Sequence, residues 1–155
     1  MSKIKRIKLT KNFYLDEYIP KDLYLKYYEH KPHYLIGLLD KKIVLIDQFL
    51  RERFGAATIN NWISGGDRNW SGLRTPESPY YKFLSQHSYG RASDSIYKYA
   101  SAKEVREDIK NNYEKLYKPL GLTCIEDDVN WLHKDCRYHE FAGYKNTGLL
   151  IVPKN

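Results

Sequence analysis

SQHSYGRASD, residues 85–94, sets a histidine and an aspartate seven positions apart, with a glycine and an alanine between them. The stretch reads either as two ligands of a metal site or as a loop running into a polar strand. Gly90 lets the chain turn sharply after His87, and Ala92 is small enough to pack beside a site. Side chains alternate between faces along an extended segment, so Ala92 and Asp94 point the same way. Asp94 can then face a metal held by His87 across the turn. Two ligands do not make a site. NWLHKDCR, residues 130–137, supplies a third in His133, on a strand-like segment beside Trp131 and Leu132. Two imidazoles and one carboxylate suit Zn²⁺ and leave the fourth tetrahedral position for water, as catalytic zinc requires.

Upstream of this motif, KKIVLIDQFLRERF (41–54) spaces Ile43, Leu45, Ile46, Phe49, Leu50 and Phe54 at mostly helical intervals. Asp40 is its N-cap and Gly55 its stop. ATINNWI (57–63) predicts a strand, and residues 65–79, rich in turn formers, predict a long loop of the kind that often carries function. A second strand should begin near Arg91 and carry Asp94. The S-A-K-E sequence at Ser101–Glu104 is a capping box, opening a helix that runs to near Tyr117. LTCIE (122–126), VNWLHKD (129–135) and TGLLIVP (147–153) are three further strands. Residues 12–34 mix aromatics with charges around Pro20 and Pro32, which predicts short helical turns laid over the surface. The order of elements predicts an α+β fold, with an antiparallel sheet of about four strands and helices packed on one side. We expect one domain over residues 1–155, with 1–35 as an irregular N-terminal segment and 36–155 as the core.

Composition narrows the partners. The 155-residue chain carries a net charge of +7 with 42% hydrophobic residues, and no apolar run approaches the roughly 20 residues of a membrane span. A basic chain can meet nucleic acid, an anionic membrane face or an anionic cell-wall polymer. The basic residues are scattered from Lys3 to Lys154 and accompany no nucleic-acid motif, which disfavours nucleic acid. Cys124 and Cys136 form neither a disulfide framework nor a C-x-x-C zinc motif. MSKIKRIKLTK lacks the apolar stretch of a secretory signal, which predicts synthesis in a cytoplasm.

The motif S-x-H-x-x-G-x-A-x-D is met in full at Ser85, His87, Gly90, Ala92 and Asp94. It resembles that of the zinc D-Ala-D-Ala carboxypeptidases and dipeptidases, related in fold to lysostaphin-type peptidases and the hedgehog signalling domain. The W-x-H-x-D-x-R ending is most similar to small phage-encoded members. The resemblance implies that His87, Asp94 and His133 bind zinc. It implies also that Arg74, in SGLRTPESP, holds a substrate carboxylate or polarises the scissile carbonyl, a role suited to a fixed guanidinium. Ser85 and Asp135 are the residues expected to support the ligands. Asp135 shares a face of its strand with His133 and either orients it or pairs with Arg91 or Arg137.

The resemblance breaks at the general base. Family members place an acid three residues, or a histidine two residues, before the last ligand, where this chain has Asn130 and Trp131. Glu126, Asp127 and Asp128 remain, and Asp127, six before His133, is the closest positional match to hedgehog-type members. The base is therefore expected to be Asp127, or Asp128 if the chain turns there. His30, His33 and His139 are expected at the surface. The resemblance nonetheless implies a zinc peptidase cutting peptidoglycan at D-alanine, as a phage endolysin released at lysis or a virion enzyme. The alternative is a phage structural or wall-binding protein that keeps the fold without the activity.

Overall fold

The computed structural model describes residues 3–139 and 148–154. Five strands form one mixed sheet: β1 (Ala57–Thr58), β2 (Ala92–Tyr97), β3 (Cys124–Glu126), β4 (Leu132–Asp135) and β5 (Leu150–Val152). Their order is β1-β2-β4-β3-β5. Neighbours are antiparallel except β3 and β5, which are parallel. The fold is thus α+β as expected, with five strands among the described residues where about four were expected, but the sheet is mixed rather than purely antiparallel. β5 lies on the far side of β3 from β4, parallel to β3 and so opposite in direction to β4.

Four α-helices among the described residues accompany the sheet: α1 (Lys21–Tyr27), α2 (Pro32–Ile36), α3 (Lys41–Phe54) and α4 (Ala102–Asn112). Local chemistry sets the ends of the longer two. The Asp40 side chain accepts a hydrogen bond from the Lys42 amide, and Gly55 ends α3 at φ 85°. Ser101 and Glu104 close a reciprocal capping box on α4. Beyond Asn112 the helix widens to a π turn and then a 3-10 turn, reaching Leu120. Pro119 lacks the N–H that a continuing α-helix would require.

Ile46 and Leu50 of α3 and Val105 and Ile109 of α4 pack with Tyr97, Ile125 and Leu132 to cover one face of the sheet. Each fully buried large apolar side chain contributes roughly 1.5–3 kcal/mol. Leu45, read from the spacing as a core residue, is exposed, while Val44 and Asp47 are buried.

ATINNWI is strand only over its first two residues. Asn60 accepts from the Ser71 amide and Asn61 from the Arg68 amide, so side chains here take backbone bonds that a ladder would otherwise supply. Trp62 turns inward and donates to the Ile19 carbonyl.

The N-terminal segment has the short turns expected, but it supplies core rather than lying over the surface. Phe13 and Tyr18 pack against Ile43 and Ile59, while Leu15, Ile19, Tyr24 and Leu35 enclose Trp62 and Leu73. Glu17 lies in this segment, accepting from the Tyr14 amide. Burial pushes its pKa up from 4.5 to about 7, against that hydrogen bond. The ionised form is therefore disfavoured by folding. Stability from this group is full below pH 4.5 and declines as pH rises to about 7, by at most about 3 kcal/mol. Urea midpoints at pH 4.5 and pH 8 should show this loss in the wild type and a smaller one in Glu17→Gln.

No helix among the described residues is long and apolar enough to cross a membrane.

Candidate metal centre

The candidate ligands gather on the sheet face opposite α3 and α4. β2 and β4 pair with Asp94 directly across from His133 and Ala92 across from Asp135. Alternation sends these four side chains to one side and Ser93, Ser95 and Lys134 to the other. His87 reaches the same place from the 3-10 turn Gln86–Tyr89, which Gly90 ends at φ 67°. The Arg74 amide donates to the His87 carbonyl, tying the long loop to this turn. Ser85 stands at the start of the turn, but its hydroxyl does not cap it. It acts through its backbone, its amide donating to Lys82 and its carbonyl accepting from Ser88.

Gly90 is obligatory for a further reason. A Cβ there would lie 1.8 Å from the Leu38 carbonyl oxygen, whose chain runs close beneath the turn. Left-handed backbone alone costs an alanine roughly 1–2 kcal/mol, and the clash adds to it. Gly90→Ala should lower stability by about 3 kcal/mol or more in urea unfolding and displace His87.

Among the described residues, His87, Asp94 and His133 place one ligand atom each within 4.8 Å of the others, and all three are buried. His87 Nε2 is 3.3 Å from His133 Nδ1 and 3.3 Å from Asp94 Oδ2. His133 Nδ1 is 2.8 Å from Asp94 Oδ1. Ligands held about 2.0–2.1 Å from a tetrahedral ion lie about 3.3 Å apart, close to the 3.3 Å between the two nitrogens and the 3.3 Å and 2.8 Å from them to one or the other oxygen of the Asp94 carboxylate.

Both rings present the nitrogen that such an ion would use. His87 Nδ1 donates to the Gly72 carbonyl at 2.7 Å, leaving Nε2 aimed at the cluster. His133 Nε2 donates to Asp135 Oδ2 at 2.9 Å, leaving Nδ1 aimed there. Asp135 has no exposed surface and is itself gripped by Arg137, Nε to Oδ1 at 2.8 Å and Nη2 to Oδ2 at 2.6 Å. The two roles read for Asp135, orienting His133 and pairing with Arg137, are both filled. A carboxylate behind a ligating histidine fixes its tautomer and strengthens it as a ligand.

The electrostatics are those of a site built for positive charge. Burial opposes ionisation of Asp94, but His87 and His133 outweigh it and hold its pKa well below the usual carboxylate range. Burial also opposes charge on His133, yet hydrogen bonds to Asp135 and Asp94 raise its pKa to about 9. His87, held mainly by a neutral carbonyl, is lowered by burial despite Asp94. The arrangement can hold a metal ion.

Arg74 is at the cluster: Nη2 donates to Asp94 Oδ2 at 2.9 Å and Nε to the Trp70 carbonyl at 2.8 Å. Arg68, which sequence reasoning missed, spans the Ile59 and Asp94 carbonyls and fixes the backbone of β2. Nothing in its loop context distinguishes it from a solvated arginine. The Gly72 carbonyl was missed for the same reason, since any residue offers one.

The three acids before His133 separate. Cys124 and Ile125 pair with Asp135 and Lys134, so the next step along β3 sets Glu126 towards His133, on the ligand face. Burial lowers the Arg74 pKa, with Asp94 and then Glu126 pulling its guanidinium back towards the charged form. Asp127 turns to the helix side, 3.2 Å from Lys110 Nζ and 3.7 Å from Arg106 Nε of α4. Asp128 is an exposed turn residue at φ 61°. His30 and His33 are exposed, while His139 is half-buried. Comparison with protein-family models, curated proteins and solved structures finds no match to this chain.

Proposed function

We propose that this chain is a zinc-dependent peptidase acting on the peptide part of bacterial peptidoglycan, at a bond involving D-alanine. The observation that carries this reading is the His87–Asp94–His133 cluster, with its near-tetrahedral spacing and both rings locked from behind. Two imidazoles and one carboxylate are the donors of catalytic rather than structural zinc, because they leave a coordination position open. When bound, zinc supplies Lewis acidity for a scissile carbonyl and lowers the pKa of water. His87, Asp94 and His133 hold the ion, and Asp135 with Arg137 keeps His133 in the ligating tautomer. Arg74 binds a substrate carboxylate or the developing oxyanion. Glu126, on the ligand face, takes the proton from water, in place of the Asp127 or Asp128 expected from spacing. The net charge of +7 favours approach to an anionic wall. A phage endolysin or virion enzyme is the biological setting this reading fits.

The second reading is a wall-binding or structural phage protein that keeps the metal but does not cut. Asn130 and Trp131 at the two usual base positions, and the engagement of Asp127 by Lys110 and Arg106, favour it. Incubating zinc-loaded protein with purified peptidoglycan separates the two. New amino termini or released D-alanine by mass analysis support the peptidase; binding without either supports the structural role. Absence of bound zinc at neutral pH removes the metal centre from both.

A further inference from the structure

The face of the sheet opposite the metal ligands carries a charge cluster that its apolar surroundings do not explain. Lys134 has no exposed surface and Asp47 of α3 has 1%. Lys134 Nζ lies 2.7 Å from Asp47 Oδ1 and donates to Ser95 Oγ at 2.7 Å. Asp47 Oδ2 accepts from the Tyr18 hydroxyl at 2.9 Å and the Ser93 hydroxyl at 2.8 Å. The N-terminal segment, α3, β2 and β4 all meet at this point. An apolar cluster of similar volume would hold these elements together at least as well, so stability does not account for the buried pair.

Register does. Ser93 and Ser95 flank Asp94, and Lys134 stands between His133 and Asp135. The ladder that sets Asp94 against His133 also sets Ser93 against Lys134. Slipping by one residue would turn a ligand towards the helices, because alternate residues face opposite sides. Slipping by two would keep the faces but part Asp94 from His133, and would carry the Lys134 ammonium away from Asp47 and Ser95. Either slip leaves a charge in the core without its partner, a penalty that an apolar pair would not impose.

We infer that Asp47, Lys134, Ser93, Ser95 and Tyr18 form a positioning network that locks the β2–β4 register and thereby the spacing of the His87, Asp94 and His133 ligand atoms. The inference rests on the metal-centre reading above.

Cobalt(II) is the probe, since its visible absorption reports coordination geometry. The full-length Asp47→Asn/Lys134→Met variant removes both charges but keeps an acceptor for Tyr18 and Ser93. It should stay folded by circular dichroism, bind cobalt about tenfold or more weakly, and show a shifted or weakened visible band. Should that variant fail to fold, Ser95→Ala, which removes the 2.7 Å Lys134–Ser95 hydrogen bond to β2 and leaves the ion pair and the longer 3.5 Å contact with the Ser93 carbonyl intact, should weaken binding severalfold with the same spectral change. A folded variant of either kind with wild-type affinity and spectrum overturns the inference. A wild-type chain that takes up no cobalt instead removes the metal-centre reading on which it stands.

Discussion

His133→Ala should abolish stoichiometric metal uptake while leaving the chain folded. The ring Nδ1 lies 3.3 Å from His87 Nε2 and 2.8 Å from Asp94 Oδ1, and a small divalent ion would not be held firmly by the remaining imidazole and carboxylate. The loss should exceed the roughly 10–100-fold cost of removing a group behind a ligand, which is the range expected for Asp135→Asn. Folding should survive because both neighbouring acids keep a cation: Asp94 retains Arg74 and Asp135 retains Arg137. Titration calorimetry with zinc, beside circular dichroism, measures both halves. His87→Ala should behave alike, since its other contact is one hydrogen bond to the Gly72 carbonyl. Retention of near-wild-type affinity by either variant would remove the three-residue centre.

What could be read from the chain was what is local. The caps at Asp40 and at Ser101 with Glu104 use bonds within three residues, so the local order of residues reveals them. Gly90 after His87 and the alternation from Ala92 to Asp94 are of the same kind, and the structure brings His87, Asp94 and His133 together. What could not be read depends on distant partners. Lys134 resembles an exposed strand lysine until Asp47 of α3 is placed against it, and Leu45 resembles core until Asp47 takes the inward position. The parallel β5 depends on which edge of the sheet is free after β4 has paired. The tyrosines of the N-terminal segment look like a surface coat, because aromatics among charges fit a coat or a core equally well.

The same limit governs the run Glu126-Asp127-Asp128, where spacing to His133 favoured Asp127 but the pleat decides. Counting back from the ligand assumes a conformation for the connection, whereas the β3–β4 ladder fixes which side each residue faces. With Cys124 across from Asp135, Glu126 shares the ligand face and Asp127 is turned to Lys110 and Arg106. The two substitutions should therefore separate sharply. Glu126→Gln should lower the rate of peptide release from peptidoglycan by about 10²–10⁴-fold, the usual contribution of a general base, with zinc content unchanged. Asp127→Asn should retain most of the activity and lose no more than about 1 kcal/mol of stability, because its ion pairs are partly exposed. Zinc analysis of both variants keeps the comparison free of ligand loss. A large rate loss in Asp127→Asn with none in Glu126→Gln would return the base to the helix-facing acid and require β3 to shift its pleat on binding substrate. A wild-type chain that holds zinc and binds peptidoglycan without cutting it would leave Glu126 with no proton to move.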